Sequence, residues 1–183
     1  MLPQTTWLVL TATLPTHPSA LRVRVWRQLK TTGAGALREG VYLLPEHAAS
    51  APALHELERS IAEAGAEAHL LQLQARDDAQ EAAFRKLFDR AEPHAQLQQA
   101  IKEARKGIRQ STEAQLHKRL RQLDQQWQAL QAIDFFPGKG HLKTAAALAA
   151  LRREAEQQLS PGEPAPSPAA IAPRTIAGHQ GRT

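Results

Sequence analysis

Apolar positions follow two different rhythms along this chain, and the change comes near residue 76. Before it they occur in short, turn-bounded runs. Residues 6–14 alternate and are rich in β-branched and aromatic types, which predicts a strand stopped by Pro15. Pro18-Ser19 supplies an N-cap for a helix with Leu21, Val25 and Leu29 on one face. Gly33 and Gly35 end that helix. Residues 36–45 predict one or two strands, with Arg38-Glu39-Gly40 as the turn. Leu54, Leu57 and Ile61 mark a second helix that Gly65 terminates, and alternation over 67–73 predicts a last strand.

From Asp77 onwards Ala, Gln, Leu, Glu, Lys and Arg dominate, all good helix formers. Phe84, Leu87, Phe88 and Ala91 make one stripe, interrupted by Pro93. Leu97, Ile101, Ala104 and Ile108 repeat with helical spacing, as do Leu116, Leu120, Leu123, Trp127 and Leu130. Gly107 and Ser111-Thr112 are the expected break between two antiparallel arms, and the Leu/Trp127 stripe is a core or a dimer seam. Phe135-Phe136-Pro137-Gly138 is a stop, and a last helix follows over about 142–159. The fold class is α+β. A ferredoxin-like β-α-β-β-α-β domain occupies 1–76, in which the first helix crosses between two neighbouring strands, and a long-helix extension fills 77–159. Residues 160–183, with Pro161, Pro164, Pro166 and Pro168, read as a disordered linker leading to a missing C-terminal domain.

The hydrophobic fraction, 42%, is enough for a packed core although aromatics are only 4%. With no cysteine in the chain, disulfides, thiolate metal sites and thiol nucleophiles are excluded. No basic segment precedes the short N-terminal apolar run, and no apolar run approaches the roughly 20 residues of a membrane span. The expectation is a soluble cytoplasmic protein with no membrane contact.

Net charge is +5, which favours an anionic partner. Two clusters carry that excess. Arg22, Arg24, Arg27 and Lys30 share the first helix, where Arg24, Arg27 and Lys30 lie together opposite the apolar stripe. No acid occurs between Ser19 and Arg38 to balance them. Lys102, Arg105, Lys106, Arg109, Lys118, Arg119 and Arg121 gather at the tip of the helical hairpin, with only Glu103 and Glu113 among them. The plain alternative is a solvated charged face in each case. Two clusters on separate elements favour phosphate contacts, without saying whether bases are read.

Evidence for enzyme chemistry is sparse. Eight histidines stand at positions 17, 47, 55, 69, 94, 117, 141 and 179. None pair at i, i+4 on one helix, and no carboxylate-histidine group has metal-ligand spacing, so a metal site would have to be assembled from distant segments. No Gly-x-Ser-x-Gly, phosphate-binding Gly loop or dinucleotide fingerprint occurs.

Trp7-Leu8-Val9-Leu10 with Leu14-Pro15, the run from Leu21 to Lys30, and Gly40-Val41-Tyr42-Leu43-Leu44-Pro45 resemble the N-terminal region of the chromate-resistance regulator ChrB family. Phe84-Arg85-x-Leu87-Phe88-Asp89 and Ile133-Asp134-Phe135-Phe136 carry the same resemblance, which covers about residues 5–158. Gln180-Gly181-Arg182-Thr183 resembles the start of that family's second domain. The resemblance implies a cytoplasmic transcriptional repressor of chromate-efflux genes that chromate relieves. The first half also resembles the central domain of the phenylacetate repressor PaaX family. In outline both are similar to the small CRISPR-adaptation nucleases, whose metal-binding aspartate follows the first strand. Here Thr11-Ala12-Thr13-Leu14-Pro15 has no carboxylate, which favours a binding module.

The expected function is therefore double-stranded promoter-DNA binding by a homodimeric repressor that is not an enzyme and has no cofactor. Chromate is the effector, sensed in the missing domain or in an arginine pocket near Arg22. A metal-dependent nuclease and a structural interaction module are the alternatives.

Overall fold

The computed structural model describes residues 4–17 and 19–159, so the linker expected at 160–183 and the Pro18 half of the first N-cap lie outside the described residues. The element order is β1 (Thr6–Thr13), α1 (Ala20–Thr32), β2 (Gly35–Arg38), β3 (Val41–Pro45), α2 (Ala51–Glu63) and β4 (Glu67–Gln74). The helices α3 (Asp78–Lys86), α4 (Ala91–Lys106), α5 (Glu113–Ala132) and α6 (Lys139–Leu159) follow.

The four strands form one antiparallel sheet in the order β2-β3-β1-β4. This is the arrangement that the β-α-β-β-α-β reading requires. β1 and β3 are neighbours, and they run antiparallel because the short β2 reverses the chain between α1 and β3. Gly40 makes the β2–β3 turn at φ 77°, and a Cβ there would meet the Ala12 carbonyl oxygen at 2.8 Å.

β1 is central and buried on both sides. Leu8 and Leu10 face α1 and α2, where Val25, Leu29, Leu54, Leu57 and Ile61 cover them. Trp7 and Val9 face the other way, towards Leu43, Phe84 and Phe88. This corrects the alternating reading of residues 6–14: Trp7-Leu8-Val9-Leu10 is a continuous apolar run because both faces of β1 are buried.

The second face brings the two halves of the chain together. All four phenylalanines, at 84, 88, 135 and 136, gather around Trp7 or its immediate neighbours. Trp7 stacks on Phe88 and meets Phe84 edge-on, each at 5.6 Å between centroids, while Phe136 lies 5.9 Å away. The core therefore crosses residue 76. Gly33 (φ 76°) and Gly35 let the turn after α1 press against this junction, since a Cβ on them would come within 2.8 Å of Ile133 and Leu87.

The extension packs around α4, α5 and α6. Leu97, Ile101 and Ala104 of α4 meet Leu116, Leu123, Trp127 and Leu130 of α5 and Leu148, Leu151 and Ala155 of α6. The Leu/Trp127 stripe is thus buried within the chain, which corrects its possible role as a dimer seam. Three local expectations also shift. The break in the α3–α4 region falls at Leu87–Arg90, while Pro93 sits in the first turn of α4, where no backbone donor is needed. Ser19 occupies the α1 N-cap position, but its hydroxyl makes no capping bond. Finally, α6 starts at Lys139, ahead of the expected 142. The break before α5 is as expected: Thr112 and Gln115 form a reciprocal capping box.

Buried Glu81 anchors the junction. Trp7 Nε1 donates to its Oε2 at 2.9 Å and Arg85 Nε to its Oε1 at 2.7 Å. Burial pushes the carboxyl upwards, but the Trp7, Arg85 and Thr5 bonds together outweigh it and hold the pKa below the usual 4.5. Glu81→Gln removes the charge that Arg85 meets and is expected to cost about 2–3 kcal/mol. That lowers Tm by roughly 4–12 °C for a chain of this size. Because the folded-state pKa is depressed, this contribution is complete above 4.5 and is lost as pH falls through the folded value. Urea titrations should show a wild-type advantage over Glu81→Gln at neutral pH that fades in acid. An advantage independent of pH would contradict the charged role.

Candidate nucleic-acid interface

Val25 and Leu29 of α1 are buried against the sheet, and the cations between and beside them reach solvent. Arg22, Arg24, Arg27 and Lys30 are all exposed. They are not electrostatically equivalent. Arg22 lies 3.3 Å from Glu39, an acid one residue beyond the stretch found free of carboxylates, which the β2–β3 turn folds back onto α1. Lys30 Nζ sits 4.1 Å above the ring of Trp26, itself 54% exposed. Arg24 and Arg27 have no side-chain partner among the described residues. Arg22, Trp26, Arg27, Glu39 and Tyr42 line one shallow groove.

The second cluster does meet at the tip formed by the end of α4, a 3-10 turn (Ile108–Gln110) and the start of α5. Here too the structure sorts the cations. Arg105 forks onto Glu154 of α6, with Nε at 2.7 Å. Lys106 Nζ lies 2.9 Å from Glu103, and this bond, with help from nearby Lys102, holds the Glu103 carboxyl below its usual range. Arg109, Lys118, Arg119 and Arg121 are exposed and have no ion-pair partner among the described residues. Exposed pairs are weak, so Arg105 and Lys106 keep part of their attraction for phosphate. The unpaired four form the stronger anion-facing group.

Sequence spacing did not reveal a group buried where α4, α5 and α6 converge. His94 lies in the first turn of α4, Asp134 just after α5, and His141 in the first turn of α6. Asp134 Oδ2 is 2.9 Å from His94 Nε2 and 3.0 Å from His141 Nδ1. His94 and Asp134 are buried, whereas His141 is 23% exposed. Thr144 Oγ1 stands 3.1 Å from His94 Nδ1 and also receives Gln98 Nε2 at 2.9 Å. Trp127 packs on the His141 ring at 4.8 Å. Gly140 lets α6 approach, since a Cβ there would stand only 3.3 Å from His94 Cβ. The three ligand-capable atoms lie within 4.8 Å of one another, a set that could hold a metal ion. The only hint in the sequence is Asp134 within the Ile133–Phe136 motif, seven residues before His141.

Arg90 adjoins this group. Burial lowers its pKa from the ordinary arginine value, opposed by the charges of Asp134 and Asp89. Its donors reach the carbonyls of Gly33, Leu87 and Asp89, and its Nε has no partner among the described residues. Among the described residues no helix is long and apolar enough to cross a membrane.

Comparison with known proteins places these features in a family context. The family model described as "Protein ChrB, N-terminal" matches residues 22–158. Protein ChrB of Cupriavidus metallidurans is 36% identical over 180 residues. The match covers 98% of this chain and 56% of the relative, so the chain spans little more than half of that protein's length. No solved structure matches the chain.

Proposed function

Because the chain belongs to the ChrB N-terminal family, we propose that it is the DNA-binding part of a chromate-responsive repressor, a cytoplasmic homodimer on double-stranded promoter DNA rather than an enzyme. The observation that carries the DNA contact is the group of unpaired cations Arg109, Lys118, Arg119 and Arg121 at the hairpin tip. Cations without carboxylate partners are the ones free to neutralise phosphate and release its counterions. Arg24 and Arg27 form a second such pair on α1, with Arg22, Lys30, Lys102, Arg105 and Lys106 as weaker contributors. Phosphate contacts of this kind give affinity and register, and base reading would be a separate property. The nuclease alternative is disfavoured because β1 runs into Thr11-Ala12-Thr13-Leu14-Pro15 without the carboxylate that such nucleases place after their first strand.

Replacing Arg109, Lys118, Arg119 and Arg121 with Gln is expected to weaken promoter-DNA binding across all sequences. The slope of log K against log salt should flatten by roughly one unit for each phosphate that is no longer neutralised. Fluorescence anisotropy at several salt concentrations measures both. Unchanged affinity and slope would make the tip a solvated surface and favour an interaction module.

Chromate sensing is proposed to need more than this chain. Arg22 is the member of the α1 cluster best placed for a tetrahedral dianion, but the Glu39 carboxylate 3.3 Å away competes for it, and the Ser19 hydroxyl does not complete an N-terminal cap there. A ligand shifts an equilibrium only by its differential affinity for two states. Calorimetric titration of this chain with chromate is expected to give no stoichiometric binding and no DNA release. Stoichiometric binding that Arg22→Ala abolishes would place the sensor on α1 instead.

A further inference from the structure

We propose that His94, Asp134 and His141 form a site for one divalent transition cation of the zinc class, independent of the DNA-contacting surface. Two imidazoles and one carboxylate are a donor set suited to such ions, and they leave a fourth position for water. The donors come from three separate segments, and the helix packing itself brings them together.

The surroundings of His94 support the site. Its Nδ1 is held 3.1 Å from Thr144 Oγ1, which also receives Gln98 Nε2 at 2.9 Å and stands 2.9 Å from the Gly140 carbonyl. That contact fixes the ring with Nε2 aimed at Asp134 Oδ2, 2.9 Å away. A metal-bound histidine is oriented in the same way, its far nitrogen held by a hydrogen bond.

Geometry and access fit the cation. Ligands about 2.0–2.1 Å from a tetrahedral ion stand roughly 3.3 Å apart. The two contacts to Asp134 must therefore open by a few tenths of an ångström. Any wider separation between the histidines must close. His141 can supply that movement because it is partly exposed at the start of α6, and its exposed edge is also an entry path. Arg90 lowers the affinity through its charge but does not block the site, since its hydrogen bonds go to main-chain carbonyls. A bound ion would fasten the first turns of α4 and α6 to the end of α5.

The test uses the full untagged chain, freed of metal by chelation and titrated with Co²⁺ and Zn²⁺. One Co²⁺ per chain with tetrahedral ligand-field bands is expected. Affinity should fall at least tenfold in His141→Ala and be unchanged in His117→Ala, where an exposed histidine paired with Glu113 is removed. Zn²⁺ should also shift the ring NMR signals of His94 and His141 in the wild type, a readout that does not depend on the variant folding. Equal uptake by the wild type and His141→Ala, or ring signals that do not respond to Zn²⁺, would overturn the proposal.

Discussion

Trp7 is the residue on which the rest of this structure depends. It sits on the central strand, with its ring between Phe84, Phe88 and Phe136 and its indole N–H on buried Glu81. In a ferredoxin-like sheet one face receives the two crossover helices. Here the other face receives α3 and the Phe135-Phe136 turn, so the sheet is covered on both sides. Aromatic rings bury more area per residue than any other side chain and prefer the stacked and edge-on contacts seen here. A chain with only 4% aromatic residues concentrates them at this junction. The indole N–H needs an acceptor once it is buried, which explains a carboxylate inside an apolar cluster.

Much of the fold is legible in the sequence because the two periodicities are local. Leu54, Leu57 and Ile61 mark a helix face whatever covers it, and Gly33, Gly40 and Gly65 stand at turns of positive φ. The junction is less legible. Nothing local says that Phe84, Phe88 and Phe136 converge on Trp7, because those pairings join residues 77 to 129 positions apart and depend on the sheet already being formed. The fate of the Leu/Trp127 stripe is hidden for the same reason. Periodicity shows that a face is apolar, and only the path of α6 shows that the face closes within the chain.

The candidate site divides in the same way. Clusters of cations are visible as composition, but their pairing is tertiary. Glu39 reaches Arg22 through a hairpin turn and Glu154 reaches Arg105 from another helix. Charge counting alone treats eleven cations as equal, whereas the fold leaves six of them, Arg24, Arg27, Arg109, Lys118, Arg119 and Arg121, without a carboxylate or aromatic partner among the described residues. The His94, Asp134 and His141 group escapes a search for ligand spacing because it has no shared element. Its members are 40 and 7 residues apart, and the glycine at 140 carries no chemistry of its own.

The account rests on DNA meeting unpaired cations on surfaces that the aromatic junction holds in place. Residue-resolved NMR of the chain titrated with promoter duplex tests this directly. The account predicts that signals from Arg109 to Arg121 and from the outward face of α1 shift together and saturate, while those of Trp7, Glu81 and Phe88 stay fixed. Shifts confined to other surfaces, or loss of the junction signals on binding, would contradict it.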